Sequence, residues 1–436
     1  MSKSVVRTFV TAVAAMLGMS VALPAQTFTS LYSFTPQGGT GYRPIAGVIV
    51  GPQGQLYGTT FYGGAYTYGT VYELAPPGSP GGAWTKTVLH SFGDQNGDVY
   101  PHAGVTLGPG GALYGVTEAG SSSTLPFTNG TVYQLRPPSG TSTHWPESVL
   151  HQFTGADGQN PLASLVAGPG NAIFGATAAG TDPTTYGGTV FRLTAPSAAG
   201  GEWSLTTLWD FSMVGGVDGP QGTLAIYGDR IYGTTKDGGT GAVGAVFELT
   251  PPTVEGGSWT ENTIYNFTAE NGDGSTPYAG VVVDANGVLY GTTEAGGLPD
   301  QNCAHGFCGI AFSLAPPSLS GVTWTETILH SFTGENGDGA TPYAGVILGP
   351  DGVLYGTTAA GGSIQNQSCG AGCGIVYELV PPPSQGGTWT EVVLHNFNGA
   401  DGNEPYAGLV LANGTLYGTT AYGGASNQGT VFSVVP

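Results

Sequence analysis

The 436-residue chain carries 28 acidic residues and only eight basic ones, which gives a formal net charge of −20 at pH 7. This balance argues against binding DNA or RNA by phosphate neutralisation, and it favours cationic partners or divalent cations. The 78 glycines and 31 prolines recur at fixed places in a repeat, so they indicate turns and not a disordered chain.

Residues 1–25 have the pattern of a secretory signal peptide. Lys3 and Arg7 form a basic start, and residues 9–22 form an uncharged apolar run that is short for a membrane span. Cleavage after Ala22 or Ala25 would leave six basic residues against 28 acidic ones. We therefore expect an exported protein whose residues 26–436 form a single domain, with an uncleaved anchor as the alternative.

A short motif, Leu-Tyr-Gly-Thr-Thr in its fullest form, recurs seven times at spacings between 57 and 65 residues. Its aromatic residue is followed by Gly, then Thr, Val or Ala, then Thr. The aromatic positions are Tyr57, Tyr114, Phe174, Tyr232, Tyr290, Tyr355 and Tyr417. Units of this length stack on one another because none can bury its apolar face alone, so the repeat predicts one continuous body.

Each repeat contains four short apolar runs separated by turn residues. In the sixth repeat the runs are residues 344–348, 353–358, 374–379 and 389–397. Val, Leu, Tyr and Thr dominate these runs, which favours strands, and no long 3.6-residue apolar stripe follows the N-terminal segment. Seven units of four strands predict an all-β fold, a seven-bladed β-propeller of four-stranded blades.

The two ends of the chain share one blade in this interpretation. Every fourth run ends in Phe, at Phe34, Phe92, Phe153, Phe211, Phe267, Phe332 and Phe397. The run from Thr27 to Phe34 precedes any complete unit, and the chain stops after a third run at residues 429–434. We expect the N-terminal strand to complete the last blade and close the ring, which leaves no open sheet edge.

The repeat resembles the GloVer tandem-repeat family of exported bacterial proteins over about residues 27 to 436, on the motif strings LYGTT, GTVYEL, PP, W, LHSF, NGDG and PYAG. The resemblance implies a secreted or cell-surface protein with an interchangeable C-terminal anchor, and it brings no established catalytic residues. This sequence ends at Pro436, directly after a strand and without a visible sorting tail. We therefore expect free secretion and not surface anchoring.

The loops after the fourth runs are acidic, and we expect them to share one face with the loops between second and third runs. This face also carries the longest insertions and all four cysteines, so we expect the functional site there. Asp94, Asn96 and Asp98 alternate like the first ligands of a calcium loop, but the Gly and Glu that complete an EF-hand are missing. Ordinary Asn-Gly and Asp-Gly turns are the alternative to calcium.

A variable residue follows the Pro at the end of each of these loops and opens the channel strand. The seven residues are Ile45, His102, Leu162, Gln221, Tyr278, Tyr343 and Tyr406. They should ring one channel mouth, where tyrosine offers a ring face and a hydroxyl to sugars or peptide groups. We predict ligand contacts by His102, by Gln221, by the three tyrosines and by Phe61, with simple packing of the mouth as the alternative.

The residue after each second-run motif varies in the same way. These residues are Phe61, Glu118, Ala178, Lys236, Glu294, Ala359 and Ala421. If Glu118, Lys236 and Glu294 met near the axis, they would be candidate catalytic residues for acid–base chemistry on a glycan. Scattered solvated charges are the simpler explanation.

Four histidines occupy one repeated place, two residues before the Phe that ends the fourth run: His90, His151, His330 and His395. The same place holds Tyr32, Trp209 and Tyr265 in the other repeats. A place that accepts His, Tyr or Trp indicates packing between blades and not convergence on one metal ion. We assign the six tryptophans that open fourth runs to blade packing as well.

Two cysteine pairs lie just before the third runs of the fifth and sixth repeats. Because export permits oxidation, we predict local disulfides Cys303–Cys308 and Cys369–Cys373, which fix loop shape more than stability. The alternatives are a cross-link between the two blades and zinc binding by the thiols with His305.

The leading functional hypothesis is a secreted, monomeric binding protein whose acidic face holds a polysaccharide or an extracellular protein. A glycan-cleaving hydrolase or lyase on the same face is the second hypothesis, because propellers host both functions. Only Arg43 and Lys236 lie near this face among the basic residues, which argues against a lyase of anionic glycans. A structural surface module is the third hypothesis. We expect no nucleic-acid partner, no transmembrane segment after the leader, and calcium as the one candidate cofactor.

Overall fold

A computed structural model describes the chain in thirteen segments: residues 26–36, 39–93, 98–122, 125–140, 144–180, 187–198, 201–211, 219–254, 256–297, 308–317, 323–363, 369–384 and 386–436. Seven four-stranded antiparallel sheets follow one another along these segments. This arrangement confirms the predicted all-β, seven-bladed propeller. The predicted signal peptide, residues 1–25, lies outside the described residues. In the described segments, no helix is long and apolar enough to cross a membrane.

The strands of blades 1 to 7 recur in the same order from the channel outwards. The first strands are Ile49–Val50, Thr106–Leu107, Val166–Ala167, Ala225–Tyr227, Val282–Val283, Ile347–Leu348 and Val410–Ala412. The second strands are Leu56–Thr60, Leu113–Thr117, Ala172–Thr177, Arg230–Thr235, Leu289–Thr293, Leu354–Thr358 and Thr415–Thr420. The third strands are Thr70–Ala75, Thr131–Leu135, Thr189–Thr194, Ala245–Thr250, Ile310–Ala315, Ile375–Val380 and Thr430–Val435. The fourth strands are Thr85–Ser91, Glu147–Gln152, Ser204–Asp210, Thr260–Asn266, Thr325–Ser331, Thr390–Asn396 and Thr27–Ser33.

Short additional elements join these strands. Three 3-10 turns connect first and second strands, at Pro109–Gly111, Pro169–Asn171 and Pro350–Gly352. Small ladders form in the loops: Asp98–Val99 with Ala119–Ser122 and Leu125–Thr128, Gly274–Ser275 with Ala295–Gly296, and Gly339–Ala340 with Ala360–Gly361. Each ladder pairs the loop before a blade with that blade's second-to-third loop. The two loop sets therefore share one face, as predicted, and we call it the acidic face.

The N-terminal strand closes the ring. Thr27–Ser33 pairs antiparallel with Thr430–Val435, and the resulting sheet runs from the N-terminal strand inwards to Val410–Ala412. Phe34 then donates its backbone N–H to the Gly429 carbonyl at 2.9 Å, and its side chain is fully buried. The predicted closure by the first strand is confirmed.

The glycine of the repeated motif lies beneath an aromatic side chain of the third strand. Gly58 pairs with Tyr72 across the ladder, and a Cβ added at Gly58 would lie 2.5 Å from the Tyr72 hydroxyl. Gly418 stands in the same relation to Phe432, also with 2.5 Å between the added Cβ and the ring. Because any side chain here would displace the buried aromatic residue, the motif requires glycine for packing.

The other motif residues connect neighbouring blades. The motif tyrosine of one blade contacts the tryptophan that precedes the fourth strand of the next blade; for Tyr57 and Trp145 the ring centroids are 6.1 Å apart. The first threonine bonds a carbonyl of the next blade, as Thr59 Oγ1 does to Ala103 at 3.0 Å. The whole motif is therefore scaffold, and the core lies mainly between neighbouring sheets.

In six of the seven fourth-to-first loops, the residue before the Pro has an unusual backbone. Six non-glycine residues here have φ between 53° and 63°: Arg43, Tyr100, Asn160, Thr276, Thr341 and Glu404. This left-handed region is disfavoured for a β-branched residue such as Thr276, and proline restricts the preceding residue further. The Thr276 N–H donates to Val243 of the preceding blade at 2.7 Å, and its carbonyl accepts from Glu294 at 3.0 Å. These two bonds hold the strained residue as a clamp between blades.

Neighbouring blades also contact each other through one pair of side chains whose residue types differ from one blade boundary to the next. Each fourth strand is followed by the Phe that ends the fourth run. The residue two positions before this Phe contacts the residue six positions before the corresponding Phe of the next blade, and we call these two residues a junction pair. The pairs with direct contacts are Tyr32–Lys86, His90–Glu147, Tyr265–Glu326, His330–Glu391 and His395–Phe28. The expected packing of histidines between blades is seen in the stack of His395 on Phe28, with centroids 3.6 Å apart.

Candidate functional site

The central channel opens on the acidic face, and its cavity has a volume of about 650 Å³. Its lining includes all seven variable residues predicted to ring the mouth, from Ile45 in blade 1 to Tyr406 in blade 7. Each of these seven residues is half-buried, so each presents part of its side chain to the channel. Their placement is as expected, while their part in ligand binding stays a prediction.

Three tyrosines form a continuous arc on blades 5, 6 and 7. Tyr278 and Tyr343 pack edge to face with ring centroids 5.3 Å apart, and Tyr343 and Tyr406 do so at 5.0 Å. Edge-to-face packing fixes the orientation of each ring and leaves part of its surface open to the channel. The arc is therefore a rigid aromatic wall.

Carboxylates lie against the hydroxyls of this wall. The Tyr406 hydroxyl donates to Glu404 Oε2 at 2.5 Å. Burial raises the pKa of Tyr343, and the charge and hydrogen bond of Glu294 raise it further. Burial also raises the pKa of Tyr278, helped by the charges of Glu294 and Glu118. The hydroxyls accordingly keep their protons at neutral pH and act as hydrogen-bond donors next to acceptors.

A second aromatic group continues the belt on blades 1 and 2. Phe61 stacks on Tyr100 with centroids 5.2 Å apart, and its ring lies 6.0 Å from that of His102. Burial lowers the pKa of His102, although the charge of Glu118 opposes the shift, so its imidazole is neutral at pH 7. On blades 3 and 4 the ring positions hold Leu162 and Gln221, so the aromatic belt covers five of the seven blades.

Arg43 joins the two aromatic groups. Its guanidinium lies 4.4 Å from the centroid of Tyr422 and 5.4 Å from that of Tyr62, and it donates a hydrogen bond to the Tyr422 hydroxyl. Sequence reasoning missed Tyr62, Tyr100, Tyr422 and Glu404 as mouth residues. Tyr100 and Glu404 lie directly before the loop Pro, and Tyr62 and Tyr422 lie two residues after the motif. Both places vary among the repeats, and this variation could have identified them.

The three candidate catalytic residues meet around Tyr278. Glu118 and Glu294 both act on the Tyr278 hydroxyl, and Lys236 Nζ lies 5.6 Å from the centre of its ring. Glu118, Lys236 and Glu294 come from blades 2, 4 and 5 and are half-buried. The structure brings them to one mouth, and their catalytic role stays a prediction.

Most aspartates of the acidic loops are used by the loops themselves. Asp338 Oδ2 accepts from the Thr333 N–H at 2.8 Å and from Thr333 Oγ1 at 2.7 Å, and Asp273 makes the same pair of bonds with Thr268 at 2.7 Å each. This is the turn interpretation given above as the alternative to calcium. The calcium prediction itself is untested, because Asp94 and Asn96 lie outside the described residues.

Asp98, the third residue of the predicted calcium loop, is fully buried and lies between blades. The histidines of three other blades bond the loop aspartates, as His151 Nε2 does with Asp157 Oδ2 at 2.8 Å and His395 with Asp401 at 3.2 Å. These His–Asp contacts were not predicted. The sequence feature that could have indicated these contacts is an Asp that follows the histidine by six or eight residues.

One predicted disulfide is present. Cys369 and Cys373 are joined, with Cα atoms 5.3 Å apart, so these two thiols are not available to the alternative zinc site. Cys308 is also disulfide-bonded, while Cys303 lies outside the described residues. The joined pair borders the mouth, because its loop lines a small cavity together with Tyr343 and Tyr406.

A model of the Gloeobacter/Verrucomicrobia repeat matches residues 17–197, 121–366 and 301–436. These ranges cover nearly the whole sequence. The chain belongs to this family. The resemblance to GloVer tandem-repeat proteins is thereby confirmed, and no curated protein matches the chain.

Solved structures resemble this Gloeobacter/Verrucomicrobia repeat protein at low identity. The polysaccharide lyase Uly1 has 10% identity and a TM-score of 0.49, with 92% of this chain and 93% of that chain covered. The endosialidase of phage phi92 has 12% identity and a TM-score of 0.41, with 95% and 71% covered. A Trypanosoma rangeli sialidase, solved with sialic acid, has 7% identity and a TM-score of 0.43, with 95% and 59% covered. No activity is transferred from these proteins.

Proposed function

We propose that this Gloeobacter/Verrucomicrobia repeat protein is an exported binding protein that holds a neutral polysaccharide at the channel mouth of its acidic face. The observation that carries the proposal is the arc of Tyr278, Tyr343 and Tyr406. Three oriented rings on consecutive blades, each with a carboxylate near its hydroxyl, offer stacking surfaces and hydrogen-bond partners side by side.

A sugar ring has matching chemistry. Its C–H face packs on an aromatic ring, and its hydroxyls bond to tyrosine hydroxyls and carboxylates. The surplus of 28 acidic over eight basic residues repels anionic polymers, which favours a neutral glycan over an acidic one. The repeated spacing of the rings suits a chain of sugar units better than a single small molecule.

Glycan cleavage is the second candidate, because Glu118 and Glu294 both approach the Tyr278 hydroxyl. Glycosidases use two carboxyl groups about 5–9.5 Å apart, one as acid and one as base or nucleophile. A hydrolase of this kind would need Glu118 and Glu294 to act together on a glycosidic bond beside Tyr278.

A glycan array probed with the purified mature protein, with calcium and with chelator, tests both candidates when any binder is then assayed for products. We expect binding without product, and a loss of at least about tenfold in affinity for Tyr343→Ala, since aromatic residues at the centre of an interface carry much of the binding energy. Tyr227→Ala, on the opposite face and 39% exposed, is the matched control and should bind like the wild type.

The outcomes separate the hypotheses. Turnover that disappears in Glu118→Gln or Glu294→Gln would establish the enzyme in place of the binding protein. Equal binding by Tyr343→Ala and the wild type would contradict the arc as the site. No binding to any glycan would favour a protein partner or a structural module. Export is tested separately, by N-terminal sequencing of the protein recovered outside the cytoplasm, which should begin after Ala22 or Ala25.

A further inference from the structure

A buried cluster of three metal-ligating side chains lies between blades 1 and 2, outside the channel. His90 comes from the fourth strand of blade 1, Asp98 from the loop strand that follows it, and Glu147 from the fourth strand of blade 2. One donor atom from each lies within 4.8 Å of the other two, and His90 Nε2 is 3.6 Å from Glu147 Oε2. His90 is 7% exposed, Asp98 is 0% exposed, and the Glu147 side chain is 3% exposed.

The Asp98 carboxylate has no hydrogen-bond partner within the described part of the chain. Both its oxygens are buried and unbonded, and the hydroxyl of the fully buried Tyr133 nearby is unbonded as well. Charges of Asp98 and Glu147 act on this hydroxyl, which places it beside the cluster. A buried carboxylate without a compensating partner is strongly destabilising, so its burial calls for a positive charge beside it.

The corresponding cluster between blades 5 and 6 shows what differs. There, Asp338 Oδ2 is occupied by the Thr333 N–H and hydroxyl, and Oδ1 contacts His330 Nε2 at 3.2 Å. The position of Thr333 is held by Gly93 in the first loop, and glycine has no hydroxyl to donate. Within the described residues neither oxygen of Asp98 has the bonds that Asp338 makes, and the Asp98 carboxylate lies beside His90 and Glu147.

We propose that His90, Asp98 and Glu147 bind a divalent transition-metal ion, with Zn²⁺ as the best fit. One imidazole nitrogen and two carboxylate oxygens are a zinc ligand set, whereas calcium takes six to eight oxygens. Ligands about 2.0–2.1 Å from a tetrahedral ion lie roughly 3.3 Å from each other, so the 3.6 Å separation needs little adjustment. A dication with neutral His90 also balances the two carboxylates.

The site would couple two blades. Its ligands come from the fourth strands of both blades and from the loop between them, and water or the Tyr133 hydroxyl completes the fourth position. Because its three side chains are at most 7% exposed, the site is closed to a substrate, so its role would be structural. The inference is independent of the glycan proposal, because the cluster lies in a blade interface and not at the channel mouth.

Zinc titration of chelator-treated, dialysed protein tests the site. We expect one equivalent of Zn²⁺ by calorimetry and elemental analysis, a rise in Tm with zinc, and the visible absorption of tetrahedral Co²⁺ when cobalt replaces zinc. Asp98→Asn should abolish all three signals. Asp338→Asn is the matched control in the equivalent cluster and should retain the one equivalent.

Asp98→Asn removes a buried charge and keeps the shape of the side chain, so we expect this variant to fold, with a Tm in chelator at least equal to that of the wild type. Far-ultraviolet circular dichroism checks its fold. Absence of zinc binding by the wild type, or unchanged stoichiometry and cobalt spectrum in Asp98→Asn, would overturn the proposal. A Tm loss of Asp98→Asn in chelator would show instead that the carboxylate has a partner without metal.

Discussion

Glu326 is a single residue whose ionisation opposes folding. It lies in the junction pair between blades 4 and 5, where the Tyr265 hydroxyl donates to its Oε2 at 2.7 Å. Burial raises the pKa of Glu326 from 4.5 to about 7, against the hydrogen bond of Tyr265. Because the folded pKa is above the unfolded value, its contribution to stability is full below pH 4.5 and is lost as the pH rises through about 7.

The variant Glu326→Gln removes the pH dependence of stability at this position and keeps an oxygen that accepts the hydrogen bond of the Tyr265 hydroxyl. We expect its Tm to match that of the wild type at pH 5 and to be higher by about 1–2 °C at pH 8, an effect kept small by the partial solvent screening of the site. Thermal unfolding at the two pH values measures the difference. Glu335→Gln, exposed in the next loop, is the control and should change neither value. A lower Tm for Glu326→Gln at pH 8 would mean that the buried charge is stabilising.

Thr276 is a second residue that lowers the free energy of unfolding, since its left-handed backbone is unfavourable for a β-branched side chain. We expect Thr276→Gly to raise the free energy of unfolding by about 0.5–1 kcal/mol, because relief of about 1–2 kcal/mol of strain exceeds the entropy that glycine adds to the unfolded chain. Denaturant unfolding gives the value. Thr327→Gly, in an exposed strand position, should lose about 1 kcal/mol. Equal losses in both variants would show that Thr276 is not strained.

Much of the site was predictable at this scale, for a physical reason. The residue after each loop Pro opens a strand that lines the channel, so the repeat itself places Tyr278, Tyr343 and Tyr406 at the mouth. The partners Arg43 and Tyr422 are 379 residues apart and meet only through ring closure, so no local pattern pairs them. The burial of Asp98 between blades also depends on contacts across a blade boundary, which the pattern of its own loop does not contain.

At the scale of elements, the N-terminal strand supports the whole ring. It supplies the fourth strand of blade 7 and buries Phe34 against Tyr72 of blade 1, with ring centroids 5.4 Å apart. Truncating one such phenylalanine to alanine costs about 3–5 kcal/mol in a well-packed core. Loss of the strand would also expose the edge of Thr430–Val435 to other chains.

A circular permutant tests whether the N-terminal strand stabilises the fold by its packing in blade 7, wherever it stands in the sequence. Thr27 pairs with Val435, so residues 27–34 can follow residue 436 through a connection copied from residues 381–389. We expect this permutant to unfold cooperatively with a Tm close to that of the wild type, since linking neighbouring termini is well tolerated. Deleting residues 27–34 without the transfer should cost more than the 3–5 kcal/mol of Phe34 alone. Equal Tm values for the deletion and the wild type would contradict closure by this strand.

For the whole molecule, the sequence predicted the blade count, strand order and closure because repetition averages out local ambiguity: seven copies of one pattern agree on the same turns and strands. The contacts between blades were less accessible. The motif glycine, the clamp at Thr276 and the junction pairs depend on what faces a residue across a sheet or a blade boundary, and no periodicity within one repeat contains that information.

The junction pairs have a consequence for how near-identical repeats find their correct neighbours. Blade 1 presents Lys86 to the rings of Tyr32 and Phe34, blade 2 presents Glu147 to His90, and blade 7 presents Phe28 to His395. An exchanged order would bury an ammonium against an imidazole or a carboxylate against a phenyl ring, at high cost. Because the junction residues differ around the ring, they favour the correct neighbour for each blade over any other blade. They thereby also disfavour the exchange of blades between two molecules.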